Sequence, residues 1–171
     1  MPAPPDDHTG YTATFEPAME LALAEAAAAQ PAGGNLEDAD VPVGAVVLNP
    51  GGTVIARGHN RREAAGDPTA HAEMEAIRAA ARAIGSRRLD GCSLVVTLEP
   101  CTMCAGAVLL ARLDRLVYGA DDPKAGAAGS LWDVLHDRRL GPTPEVIRGV
   151  LGAECSALLR DFFALRRAKQ R

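Results

Sequence analysis

The sequence lacks any apolar run long enough to cross a membrane, because no stretch approaches the roughly 18 consecutive apolar residues that a membrane-spanning helix needs. Its first ten residues, MPAPPDDHTG, also lack the basic start and apolar stretch of a secretion signal. Glycine (17) and proline (12) together fall well below the roughly 25–30% share of low-complexity chains. We therefore expect a cytoplasmic protein without a membrane partner, built around one domain.

Basic residues are missing from the first forty positions, which carry eight Asp or Glu side chains. Because the whole chain has 22 acidic and 18 basic residues, the remainder of the chain is mildly basic. A basic body permits a polyanionic partner such as a nucleic acid, although a solvated surface of mixed charge explains the same composition. The charge alone therefore identifies no partner.

Cysteine is also scarce, with four residues in the chain. Without a secretion signal, four cysteines indicate thiols or metal ligands rather than a disulfide framework. Cys92 lies in an apolar run and Cys155 near a helical pattern, and single cysteines in such places are typically small core residues. Cys101 and Cys104, by contrast, form a C-x-x-C pair that can hold a metal ion.

Hydrophobic periodicity predicts helices that alternate with strands along the chain. Residues 1–14 are predicted to be a disordered tail, and residues 31–40 an exposed acidic loop. Strands are predicted at 41–48, 53–57, 92–98, 115–119 and 145–151, and helices at 15–30, 67–84, 100–113 and 154–171. Helices and strands that alternate around one sheet indicate an α/β domain with three layers.

Two short motifs at predicted helix starts, HAE (71–73) and PCTMC (100–104), supply a set of metal-ligand side chains. Cys101 and Cys104 are three positions apart on one helix face, so both sulfurs can reach a metal at about 2.3 Å. The partial positive charge at a helix N-terminus favours the thiolate that zinc requires. With His71, this set leaves a fourth position open for water, which is typical of catalytic rather than structural zinc.

Glu73 is the candidate acid–base residue of this site. On an ideal helix it would point about 200° away from His71, which makes it a poor ligand. In a first turn that faces a pocket, it can instead take a proton from a water whose pKa zinc lowers toward about 7. The combination H-x-E followed by P-C-x-x-C matches the signature of zinc-dependent nucleobase deaminases.

Three longer segments carry a family resemblance: DPTAHAE (67–73), VTLEPCTMCAGA (96–107) and GAAGSLWDVL (126–135). They resemble the bacterial tRNA-specific adenosine deaminases, with similarity over about residues 15–168 and a short basic tail at 169–171. The resemblance implies a zinc-dependent deaminase domain of the three-layer α/β/α cytidine-deaminase-like fold, with a central mixed five-stranded sheet. It also implies a homodimer that converts the wobble adenosine in the anticodon stem-loop of an arginine tRNA to inosine.

The resemblance assigns roles to matching positions, beginning with one Zn²⁺ per chain on His71, Cys101 and Cys104 and a proton shuttle at Glu73. The implied substrate-binding positions are Asn60, Ala72, Leu98, Asp122, Lys124, Phe162 and Phe163. In this assignment the asparagine contacts the flipped nucleoside, and the backbones of the alanine and leucine border the base. The aspartate lines the anticodon groove, the lysine contacts phosphate, and the phenylalanines approach neighbouring bases.

Plainer interpretations of several positions stay open. Asn60 is also typical of a turn residue that ends a strand, and the two phenylalanines are typical of the apolar face of an amphipathic helix. A basic cluster near the C-terminus, Arg166, Arg167, Lys169 and Arg171, fits either an RNA backbone or a solvated helix end. The segments 31–40 and 136–145 depart from the family pattern.

Three functions fit these motifs. Deaminases of a free base, nucleoside or nucleotide share the zinc motif, so the motif alone leaves the substrate open. A zinc-stabilised RNA-binding module without activity explains less, because it needs neither Glu73 nor an open coordination position. The long match through GAAGSLWDVL and the C-terminal LLRDFFALRR favours the tRNA reaction by resemblance.

Overall fold

The computed structural model describes residues 12–29 and 39–169. Most of the predicted tail at 1–14, most of the acidic loop at 31–40, and Arg171 of the basic cluster lie outside the described residues. Within the described residues, no helix is long and apolar enough to cross a membrane.

One mixed sheet forms the centre of the fold. Its strands are Gly44–Leu48 (β1), Val54–His59 (β2), Ser93–Leu98 (β3), Arg115–Ala120 (β4) and Glu145–Arg148 (β5). The spatial order is β2-β1-β3-β4-β5, with β1 antiparallel to both of its neighbours and β3, β4 and β5 mutually parallel. The predicted mixed five-stranded sheet is therefore confirmed.

Helices cover both faces of this sheet. After a 3₁₀ turn at Ala13–Phe15, the helices of the described residues are Glu16–Ala28 (α1), Arg62–Ala65 (α2), Ala72–Ile84 (α3), Thr102–Ala111 (α4) and Gly152–Lys169 (α5). Buried residues of α3 and α4 pack against one face, and those of α1 and the start of α5 pack against the other. The three predicted layers are thus confirmed.

The central strand β3 shows why its sequence is apolar without a break. Leu94 and Val96 pack toward α3 and α4, whereas Val95 packs toward α1. All three side chains are fully buried. A strand covered on both faces has no polar side, so its sequence does not alternate.

Close packing fixes α3 on the sheet. A Cβ atom at Gly58 of β2 would lie 2.6 Å from the backbone nitrogen of Ala76 and 2.7 Å from the carbonyl oxygen of Ala72. Only glycine lets the strand and the helix approach this closely. The first turn of α3, which carries the HAE motif, is held in place by this contact.

The predicted start of α3 at Asp67 was wrong. The Asp67 carboxylate accepts hydrogen bonds from the Thr69 backbone N–H at 2.7 Å and from its hydroxyl at 2.8 Å. This local turn replaces helical hydrogen bonds, and the helix begins five residues later, at Ala72. The short helix α2, which the sequence did not predict, precedes this turn.

The last residue of the predicted acidic loop is buried rather than exposed. Asp40 is 3% exposed, and its carboxylate accepts the backbone N–H groups of Glu63 at 2.8 Å and Ala64 at 3.1 Å. It therefore caps the N-terminus of α2 across 23 residues of sequence. The prediction of an exposed loop is wrong at Asp40, because its carboxylate is hydrogen-bonded to the N-terminus of α2.

Candidate active site

The starts of α3 and α4 bring the three predicted ligands together. His71 and Cys101 are the N-cap residues of these helices and have extended backbones, with ψ angles of 154° and 177°. The Sγ atoms of Cys101 and Cys104 are 3.7 Å apart, and His71 Nδ1 lies 3.7 Å from the first and 3.5 Å from the second. Within the described residues, this is the one cluster of His, Cys or acidic side chains close enough to hold a metal ion.

These distances fit a tetrahedral zinc ion. With Zn–S bonds of about 2.3 Å and a Zn–N bond of about 2.0–2.1 Å, tetrahedral angles require about 3.8 Å between two sulfurs and about 3.6 Å between sulfur and nitrogen. The three observed separations lie within about 0.2 Å of these values. The donor set is also the one that zinc prefers, two thiolates and an imidazole nitrogen.

The ligands influence one another's protonation. The hydrogen bond with Cys104 and the neighbouring imidazole lower the pKa of the Cys101 thiol to about 3. The same sulfur pair and burial raise the pKa of the Cys104 thiol, while the hydrogen bond to Cys101 raises the pKa of His71. The helix N-terminus, where negative charge is favoured, acts in the same direction on the Cys101 thiol.

Glu73 lies in the same site. Only 4% of its surface is exposed, and burial raises the pKa of its carboxyl to about 7. The ideal-helix estimate of its direction does not apply, because His71 has an extended rather than a helical backbone. Glu73 and two of the ligands, His71 and Cys101, line one cavity.

That cavity has a volume of about 910 Å³ and lies at one edge of the sheet. The parallel strands β3 and β4 both end there, and so does β2, which runs antiparallel to β1. The loops that follow these strand ends therefore supply the walls. Beyond the ligands and Glu73, the wall residues include Val41, Val43, Asn60, Arg62, Ala72, Leu98, Glu99, Asp122, Lys124 and Ala125, and α5 adds Leu159, Arg160, Phe163, Ala164 and Arg167.

Asn60 follows the end of β2, as the turn interpretation predicts, and it also lines the cavity, whereas its contact with a nucleoside stays a prediction. Its backbone N–H donates to the Val43 carbonyl and its Nδ2 donates to the Val41 carbonyl at 3.1 Å, which holds the end of β2 in place. Its Oδ1 is buried at the cavity wall and accepts no hydrogen bond. Because an unpaired buried acceptor is costly, this oxygen is available to a donor group of a bound molecule.

The other predicted substrate positions also lie at the cavity, with one exception. Ala72, Leu98, Asp122, Lys124 and Phe163 line it. Phe162 is 1% exposed and packs edge to face on Phe163, with ring centroids 5.3 Å apart. This burial fits the alternative interpretation of Phe162 as part of the packed apolar face of the helix, and its approach to an anticodon base stays a prediction.

More basic residues line the cavity than the sequence analysis predicted. Of the predicted C-terminal cluster, Arg167 lines the cavity, whereas Arg166 and Lys169 do not. Arg62 and Arg160 line it as well, and sequence reasoning missed both. Their signal was weak, because arginine is the common basic residue throughout this chain.

Glu99 is a third cavity residue that the sequence analysis did not indicate. It is 2% exposed, and its carboxylate accepts backbone N–H groups of Asp122 at 2.9 Å, Ala128 at 2.9 Å and Ser130 at 3.0 Å. Burial alone would raise the pKa of Glu99, but these hydrogen bonds outweigh it and lower the pKa. Its sequence signal was an acidic residue that directly follows a buried apolar strand, next to the PCTMC motif.

Comparison with known proteins places the chain in a family. The sequence profile described as the cytidine and deoxycytidylate deaminase zinc-binding region matches residues 13–120. A tRNA-specific adenosine deaminase of Bacillus subtilis is 46% identical over 154 residues, which cover 90% of this chain and 91% of that protein.

Solved structures give the same assignment. One from a study of A-to-I editing by tRNA:A34 deaminases at the wobble position of transfer RNA is 47% identical, with a TM-score of 0.74, and covers 82% of this chain and 97% of its own. A guanine deaminase from Nitrosomonas europaea is 27% identical, with a TM-score of 0.67 over 96% of this chain and 87% of its own. By sequence and by structure, the chain belongs to the cytidine and deoxycytidylate deaminase family and, within it, to the tRNA-specific adenosine deaminases.

Proposed function

We propose that residues 15–168 form a deaminase domain that converts the wobble adenosine in a tRNA anticodon, with arginine tRNA as the substrate, to inosine and releases ammonia. The observation that supports this most directly is the buried Glu73 beside the cluster of His71, Cys101 and Cys104, in the wall of a cavity of about 910 Å³. The close similarity to tRNA-specific adenosine deaminases supports the choice of substrate.

The proposed cofactor is one Zn²⁺ on His71, Cys101 and Cys104. When bound, zinc lowers the pKa of a water molecule toward about 7 and so supplies a nucleophile at neutral pH. Hydrolytic deamination adds water at C6 of the base and expels the amino group as ammonia. Glu73 would accept one proton from the attacking water and pass it to N1 of the ring, then take the remaining proton from the new C6 hydroxyl and deliver it to the amino group, so that ammonia leaves and the carbonyl of inosine forms. Burial raises the pKa of the Glu73 carboxyl, which makes it a stronger proton acceptor.

The cavity walls supply recognition of the RNA. Asn60 Oδ1 accepts a hydrogen bond from the extruded nucleoside, whose base lies between the backbones of Ala72 and Leu98. Phe163 is 40% exposed and offers a ring on which a neighbouring anticodon base can stack. Phosphate groups are paired with the cations of the cavity mouth, Arg62, Lys124, Arg160 and Arg167.

The experiment that tests this function compares substrates. A tRNA with a wobble adenosine, its anticodon stem-loop, free guanine and free cytidine are each incubated with the purified protein, and the RNA is then sequenced. We expect inosine at the wobble position and little reaction with the free compounds. If the wobble adenosine stays unchanged while guanine or cytidine is deaminated efficiently, the chain is instead a deaminase of small molecules.

Metal analysis should find one zinc per chain. Cys104→Ala should remove it and abolish deamination, because it takes away one of three protein ligands. Cys92→Ala is the matched control, since this thiol is equally buried but lies in the core away from the site. Full activity in a sample without metal, or equal zinc loss in both variants, would contradict the ligand assignment.

Glu73→Ala should keep the zinc and the fold but lower kcat at least about 100-fold, because general acid–base transfer contributes about that much or more. Glu75→Ala is the control: it lies on the same helix and pairs with Arg78 outside the cavity. We expect it to retain nearly full activity. Near-normal turnover by the Glu73 variant would assign the proton transfer to another group.

We also propose a homodimer that associates through the outer face of α4. On this face, Leu110 is 77% exposed, and a Cβ atom at Gly106 would have no neighbouring atom within 4 Å. Ala105 is buried in the core and so cannot contribute to this interface. An exposed apolar face of this kind is typical of an interface.

Sedimentation of the purified protein at micromolar concentration should show the mass of two chains, and the Leu110→Glu variant should show the mass of one chain. A one-chain mass for the unaltered protein would contradict the dimer.

A further inference from the structure

Glu99 is the least exposed acidic side chain of the described residues, and the proposed reaction leaves it without a role. Both of its oxygens are in use. Oε2 accepts the Asp122 N–H, and Oε1 accepts the N–H groups of Ala128 and Ser130. The Ser130 hydroxyl contributes to the lowered pKa of this carboxyl. Every partner of this buried carboxylate is therefore a donor.

All of these donors belong to one segment, which we call the 121–130 loop and which directly follows β4. The donor residues lie 23 to 31 positions beyond Glu99 in sequence. A Cβ atom at Gly126 would collide with the Glu99 carboxylate, so the loop backbone packs directly on this group. The Ala127 N–H also donates to the Pro100 carbonyl at 2.8 Å.

The same loop forms one wall of the cavity and contacts the metal site. Asp122, Lys124 and Ala125 line the cavity, and Gly126 pairs with the ligand residue Cys101 in an isolated β-bridge. The Asp122 carboxylate is itself used within the loop, where it accepts the Lys124 N–H at 2.9 Å. The position of this wall relative to the metal ligands thus depends on Glu99.

We propose that Glu99 is a positioning residue for the deamination: its carboxylate holds the 121–130 loop at the distance from the zinc ligands at which Asp122 and Lys124 engage the RNA nucleotide. This inference rests on the proposed function for its substrate. A glutamine cannot replace the glutamate, because its NH₂ group would face an N–H donor on one side. Without the hydrogen bonds to that oxygen, the 121–130 loop would no longer hold the cavity wall in one position.

The test uses Glu99→Gln and the milder Ser130→Ala, which removes only a hydroxyl donor at an exposed position. Asp114→Asn is the control, because Asp114 accepts the Gly91 N–H at 2.9 Å in a loop away from the cavity. With the anticodon stem-loop as substrate, Glu99→Gln should raise KM about tenfold and change kcat less. Ser130→Ala should raise KM in the same direction but less, and the control should match the unaltered protein.

Zinc content and amide exchange are measured on the same samples. Zinc should stay at the unaltered level, while the amides of Asp122, Ala128 and Ser130 should exchange faster in Glu99→Gln than in the control. A KM unchanged in both loop variants, or a loss of activity that only follows lost zinc, overturns the proposal. If the unaltered protein does not deaminate the RNA, the proposed function fails, and unchanged amide exchange then independently overturns the positioning role.

Discussion

The site depends on two helices, α3 and α4, whose first residues lie close together where strands β2, β3 and β4 end. The N-cap residues His71 and Cys101 have extended rather than helical backbones. Their side chains therefore come into contact, with 3.7 Å between Cys101 Sγ and His71 Nδ1. The close approach of β2 to α3 at Gly58 keeps the first of these helix starts in place. The unpaired N–H groups of helix starts favour thiolates, so the backbone geometry also sets the electrostatics that a zinc site needs.

Two buried glutamates within this site have opposite electrostatic environments. Burial dominates at Glu73 and raises its pKa to about 7, whereas hydrogen bonds from the 121–130 loop dominate at Glu99 and lower its pKa. The two pKa directions suit the two proposed roles, because burial makes the Glu73 carboxylate a stronger proton acceptor and the N–H donors favour the ionised form of Glu99. Under these proposals, one residue type serves proton transfer in one place and the placement of a cavity wall in the other, depending on its surroundings.

The sequence predicted the features that depend on local pattern. The strands, the three layers and the ligand cluster follow from apolar periodicity and from motif spacing. It missed what depends on contacts between distant segments: Asp40 capping α2, and Glu99 binding the 121–130 loop. The start of α3 was misplaced because Asp67, a typical cap residue, stabilises a turn instead.

X-ray absorption at the zinc edge can test whether His71, Cys101 and Cys104 hold the ion, because the spectrum reports the atoms bound to zinc. If the two helix starts hold the ion, the spectrum of the purified protein should show two sulfurs at about 2.3 Å and one imidazole nitrogen at about 2.0 Å. One further light atom should complete the four-coordinate shell and mark the open position. A third sulfur or a second imidazole would mean a closed structural site and would contradict this account.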